Sequence, residues 1–199
     1  SKKQSTQSGD FEISLLVLAA IVIKSDGDVD RRELDFVRSS FISMYGQERA
    51  NHAFKLFKGI IANNKISTRQ VCLQINKHMN HASRLQLLHF LFGVAKSDGM
   101  VTENELHKIN TIAGYLNINQ HDFSSIKAMF YNEVDSSYKI LEIDKSASDA
   151  EVKTAYRKMV KKYHPDKLRN LGPEHIKGAE DKFRQVQRAY EHIQKERGL

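Results

Sequence analysis

The chain has 199 residues, enough for one large domain or two small ones, and its 40% hydrophobic and 28% charged content is that of a globular protein. A single cysteine, Cys72, excludes an internal disulfide, fits a reducing compartment and reads as a small core residue. The net charge of +7 and pI near 9.4 permit acidic partners (a protein face, nucleic acid or anionic lipid) without choosing among them.

Residues 1–9 are a polar tail with no signal-peptide pattern. The longest apolar run, Leu15 to Ile23, falls short of the roughly 20 residues that cross a bilayer and predicts a buried core helix. The following stretch, Lys24-Ser25-Asp26-Gly27 with Glu33-Leu34, recurs as Lys96-Ser97-Asp98-Gly99 with Glu105-Leu106, at a constant offset of 96 − 24 = 72. Two copies are too few for a solenoid, so a compact helical domain with pseudo-twofold symmetry is expected.

Each copy reads as helix, tight turn, helix. Gly27 and Gly99 stand where a left-handed residue ends the first helix. Asp30 with Glu33, and Thr102 with Glu105, then fit a capping box or a near equivalent. Between the copies, Gln47 to Ala62 and Thr68 to Met79 predict two helices, the first with Ala53, Phe54, Phe57, Ile60 and Ile61 on one face. Gln120 to Phe130 predicts a last short helix.

The acidic turns raise a metal question. Asp26, Asp28 and Asp30 have the one-three-five spacing of a calcium loop, but Arg31 replaces the required glycine and Val37 the required glutamate. Met100 and Thr102 break the second copy, and capping accounts for Glu33 and Glu105, so Asp26, Asp28, Asp30, Glu33, Asp98 and Glu105 are read as structural, with no metal and no cofactor. His78 and His81 lack any carboxylate or cysteine cluster, and neither a nucleophilic triad nor a phosphate-cradling glycine loop can be argued, so the chain is read as a non-enzyme. The doubled Lys-Ser-Asp-Gly…Glu-Leu pattern resembles the tellurite-resistance TerB-like domain over residues 10–131.

After the linker 132–136 the pattern changes. Ser137 to Ile143 is a short apolar helix, and Ser148-Asp-Ala-Glu151 opens the next with a capping box. On that helix Val152, Tyr156, Met159 and Tyr163 form an apolar stripe, while Lys153, Arg157 and Lys161 form a basic one that Lys158 and Lys162 widen. Like charges four apart destabilise a helix slightly, so this face is not there for helix stability. Pro165 stops the helix, the loop Lys167 to Gly172 follows, and Pro173 starts the last helix, whose stripe is Ile176, Ala179, Phe183, Val186, Tyr190 and Ile193. The two helices should pair antiparallel, with His164-Pro165-Asp166 at the tip.

Tyr138-Lys-Ile-Leu141, Ala155-Tyr156-Arg157-Lys158, Lys162-Tyr163-His164-Pro165-Asp166-Lys167, Lys182-Phe183 and Ala189-Tyr190-Glu191 resemble a J domain of the DnaJ family over residues 137–199. The fourth helix of many J domains is missing. A TerB-like domain followed by a J domain resembles the DjlA group of membrane-anchored co-chaperones; this chain would be a soluble fragment cut after the anchor, or a soluble relative. The resemblance implies an all-α protein that binds a DnaK-type chaperone and stimulates its ATP hydrolysis at the cytoplasmic face of the bacterial inner membrane, or in the cytoplasm. It implies partner binding through Tyr156, Arg157, Lys158, Lys161, Lys162, His164, Pro165, Asp166 and Lys167, with residues 10–131 supplying client, homodimer or regulatory contacts. Two alternatives stand beside it: a metal-sensing TerB-like domain with the J domain secondary, and a basic nucleic-acid-binding helical protein. The latter lacks stacking aromatics, a zinc motif and a clear recognition helix, so no nucleic acid is expected.

Overall fold

The computed structural model describes residues 8–167 and 173–199; the polar tail over 1–7 and the loop stretch 168–172, including Gly172, lie outside the described residues. Among the described residues all regular structure is helical: α1 Ser8–Ile23, α2 Arg31–Tyr45, α3 Gln47–Ala62, α4 Thr68–His78, α5 His81–Lys96, α6 Glu103–Tyr115, α7 Gln120–Phe130, α8 Ser136–Ile140, α9 Asp149–Tyr163 and α10 Pro173–Arg197. None of these is long and apolar enough to cross a membrane. The fold divides into two compact units, one ending at Ile118 and one beginning at Asn119.

In the first unit α1 and α5 form the centre. α1 packs against α3, α4, α5 and α6. It buries Leu15, Leu16, Leu18, Ala19, Ala20, Val22 and Ile23, and α5 buries Leu85, Leu87, Leu88, Leu91, Phe92, Val94 and Ala95. Helices this apolar on every side must be surrounded, which is why the polar-faced α2, α3, α4 and α6 lie outside them. The turns close as the repeat requires, with Gly27 at φ 83° and Gly99 at φ 88°. At the second turn the full capping box forms: the Glu105 amide donates to Thr102 Oγ1 at 3.1 Å and the Thr102 amide to Glu105 Oε1 at 3.1 Å. At the first turn it does not. Asp30 accepts the Arg32 amide at 2.7 Å and its guanidinium at 3.0 Å, and Glu33 points into the core instead of back to its cap.

The second unit contains α7 to α10. α7, which the sequence attaches to the first domain, packs here against α8 and α10. Ser125 on α7 donates to the carbonyl of Ile140 at 2.8 Å, a buried bond that ties α7 to the end of α8. α8 stops at Ile140, short of the expected Ile143, because Glu142 takes a left-handed conformation at φ 60°. α9 starts from its box, the Glu151 amide on Ser148 Oγ at 3.1 Å and the Ser148 amide on Glu151 Oε2 at 2.9 Å. It buries Val152, Ala155, Met159 and Tyr163, and packs on α10, which buries Ala179, Val186, Ala189 and Ile193.

Candidate partner-binding site

The residues expected to bind a partner divide into four groups. Arg157, Lys158 and Lys161 stand exposed along α9, and Lys167 is exposed just beyond it. Among the described residues Arg157, Lys158 and Lys161 make no ion pair, so their charge faces solvent. Tyr156 belongs to the hairpin instead: its ring stacks on Tyr190 at 4.0 Å and 8°, which joins α9 to α10.

Lys162 is a correction. Its Nζ bonds Asp122 of α7 and lies 3.3 Å from Glu142 Oε1. The Asp122 side chain is 3% exposed, that of Lys162 26%. A carboxylate buried to that degree must be paired, so Lys162 is held by its own chain and is not part of the free basic face. Burial pushes the Glu142 carboxyl up, and a hydrogen bond shared with Asp122 adds to this against the pull of Lys162.

The loop has a defined shape. His164 leaves the helix with φ −61° and ψ 128°, as the following proline demands. Residues 165–167 form one 3-10 turn, closed by the Lys167 amide on the His164 carbonyl at 3.1 Å. The Asp166 amide donates to His164 Nδ1 at 3.2 Å, so that nitrogen acts as acceptor. The imidazole stands edge-on to Phe183, with ring centroids 5.8 Å apart at 81°. Pro165 is half-buried, and the Asp166 side chain is 57% exposed. His164 and Phe183 thus set the loop, and the loop presents one carboxylate beside a cationic helix face.

A family model described as Tellurite resistance protein TerB matches residues 12–128. The chain belongs to the TerB family. A model of the DnaJ domain matches residues 136–197, which includes every residue of the candidate site. The chain is similar to the Co-chaperone protein DjlA of Vibrio vulnificus, at 32% identity over 67% of the chain and 46% of that protein. Its similarity to the Co-chaperone protein DjlA of Coxiella burnetii is 26% over the whole chain and 82% of the relative. The Chaperone protein DnaJ of Fusobacterium nucleatum is 50% identical over 27% of the chain and 14% of that protein. The chain spans about half or less of the length of several of these relatives. No solved structure matches it. The TerB match ends inside α7, yet α7 folds with the DnaJ domain.

The acidic residues of the repeat have separate occupations. Asp26 accepts the Thr102 hydroxyl at 2.8 Å, Asp30 caps α2, and Asp98 accepts the Met100 amide at 3.0 Å. Among the described residues no three His, Cys, Asp or Glu groups gather as a metal site would require. Glu33 and Glu105 are both buried, and Oε2 of each is sealed from solvent. Each carboxyl acts on the other, and for Glu33 the charge of Glu105 favours the protonated form. Burial first, then the charge of Glu105, pushes Glu33 up to about 8. Burial raises Glu105 as well, against the Thr102 amide that lowers it. Capping therefore explains Glu105 and not Glu33.

Sequence reasoning missed Asp122 and Glu142, whose pairing with Lys162 crosses 40 and 20 positions of the chain. It also missed that Lys182 is buried on α10 beside the Tyr163 ring, where burial and then Lys162 pull its ammonium down to about 7. The Glu33–Glu105 pair left a signal, since 105 − 33 is again 72.

The division of the basic residues is measurable. Replacing Lys162 by Met removes the ammonium that faces the buried Asp122 carboxylate and should lower the stability of the second unit by about 3 kcal/mol. Arg157→Ala and Lys158→Ala, at exposed positions without ion pairs among the described residues, should stay within about 0.5 kcal/mol of the parent. Denaturant melts of the three variants compare them directly, and equal losses would erase the distinction.

Proposed function

We propose that this chain is a co-chaperone that docks on a DnaK-type ATPase through its DnaJ domain and accelerates ATP hydrolysis by that partner. The observation that carries the reading is the exposed Asp166 carboxylate, held on a turn built by His164 and Phe183, at the end of a helix whose Arg157, Lys158 and Lys161 face solvent. The names of the similar proteins, co-chaperone and chaperone, point the same way.

The chemistry divides between two kinds of contact. The three cations meet an acidic surface on the partner, which raises the rate of encounter and sets orientation more than it adds affinity. Asp166 pairs with a partner cation, a charge-assisted interaction that gains strength as water is excluded. The hydrolytic groups belong to the partner. The first unit, ending at Ile118, supplies client or regulatory contacts.

The direct test is single-turnover ATP hydrolysis by a DnaK-type chaperone with increasing amounts of the chain. Saturable acceleration is expected, and a rate independent of the chain would reject the reading. Raising the salt from about 0.05 M to about 0.3 M shortens the Debye length from roughly 14 Å to roughly 6 Å, and should raise the concentration needed for half-maximal acceleration. A flat salt response would remove the steering role of Arg157, Lys158 and Lys161.

A further inference from the structure

We infer that Asp122 is a positioning residue for the docking loop, acting from a helix that lies outside the DnaJ match. The inference rests on the proposed function, because it concerns the loop that docks. α7 runs from Gln120 to Phe130, whereas the DnaJ match begins at residue 136. Yet α7 belongs to the same compact unit as α8 to α10.

Ser125 and Asp122 both tie α7 into this unit. Ser125 holds the carbonyl of Ile140 at the end of α8, at 2.8 Å and out of solvent. One turn earlier on the same helix, Asp122 binds Lys162, the second-last residue of α9. Glu142, just past α8, approaches the same ammonium at 3.3 Å. The last turn of α9 is therefore anchored from outside the hairpin. The next residue, Tyr163, is 3% exposed, and its phenol is pushed up by burial and by the charges of Asp122 and Glu142. His164 follows immediately and turns the chain toward Asp166.

A helix end frays unless something holds it, since its last carbonyls lack intrahelical partners. α9 ends at a proline, so its final turn has no continuing helix to steady it. The Asp122–Lys162 bond supplies the restraint at that turn. A buried ion pair is poor at adding net stability, but it discriminates strongly among geometries, because either charge left alone is costly. Asp122 thus limits the directions in which His164, Pro165 and Asp166 can leave the helix. Holding the loop in its docking geometry lowers the ordering cost that binding must meet.

The test uses the full chain with Asp122→Asn, which keeps shape and removes charge, with Lys162→Met, and with the double change Asp122→Asn/Lys162→Met, which removes both charges. Amide hydrogen exchange reads the loop without any partner. The amides of Tyr163, Asp166 and Lys167 should exchange about tenfold faster in the Asp122→Asn variant, while amides around Val186 on α10 keep their protection. Half-maximal stimulation of a DnaK-type ATPase should need about tenfold more chain, and the double variant should lose less than the sum of the Asp122→Asn and Lys162→Met losses, as two groups that share a bond require. Unchanged loop exchange would overturn the inference. So would a uniform rise across α9 and α10, which a merely stabilising residue would give, or additive losses in the double variant. If the parent chain fails to stimulate the ATPase at all, the proposed function fails, and the exchange pattern alone decides the role of Asp122.

Discussion

Replacing Asp166 by Asn in the full chain should abolish stimulation of a DnaK-type ATPase while its helical circular dichroism stays at the parent level. The Asp166 side chain is 57% exposed, with Oδ2 3.5 Å from His164 Nδ1, and the Asp166 backbone amide donates to that same nitrogen at 3.2 Å. Asparagine keeps the volume and the amide bond and removes only the charge. Removing a charge-assisted hydrogen bond from a desolvated interface costs about 2–3 kcal/mol, roughly 30-fold to 150-fold in affinity. His164→Gln should fail in the same assay for a different reason. It deletes the ring that stands against Phe183 and replaces the Nδ1 acceptor that receives the Asp166 amide, so the turn loses its shape. Full stimulation by either variant would remove the loop from the mechanism.

The second large effect lies in the first unit and depends on pH. Glu33 is raised to about 8 in the fold, from 4.5 for the free side chain, so between these values the folded state holds a proton that the unfolded chain releases. A state that binds more protons loses ground as pH rises. The contribution is complete below about pH 4.5, declines through the range and is gone above about 8, a loss of a few kcal/mol. Glu33→Gln keeps a neutral hydrogen-bonding group at that position whatever the pH. The variant should melt near the parent temperature at about pH 5.5 and clearly above it at about pH 8.5. Parallel melting curves for parent and variant across that interval would show that Glu33 keeps no extra proton in the fold.

The same residues show how far a sequence can be read. Helix starts were legible because their chemistry is local: Thr102 with Glu105, and Ser148 with Glu151, lie three positions apart and close the boxes their order implies. Asp30 with Glu33 has the same order and does not close, because Arg32 takes the Asp30 carboxylate and leaves Glu33 to the core. The shape of the His164-Pro165-Asp166 turn was legible for the same reason, since proline, histidine and aspartate act on one another within a single turn. The basic stripe was legible as a stripe but not in its availability. Lys162 differs from Lys161 by one position and by the whole of its environment. The affiliation of α7 was not legible at all: its own pattern says helix and nothing about the unit that receives it.

The order of residues along the chain determined the all-helical class, the doubled Lys-Ser-Asp-Gly motif, the helix caps and the presence of a His164-Pro165-Asp166 tip. Each depends on groups within a turn or two of each other, or on periodicity along one helix. Tertiary structure alone decided which charges are satisfied inside the protein. Asp122 met Lys162 across 40 positions and Glu33 met Glu105 across 72 because burial forbids an unpaired charge and forces each to find a cation or keep a proton. Which partner it finds depends on packing between helices, and no local pattern records that.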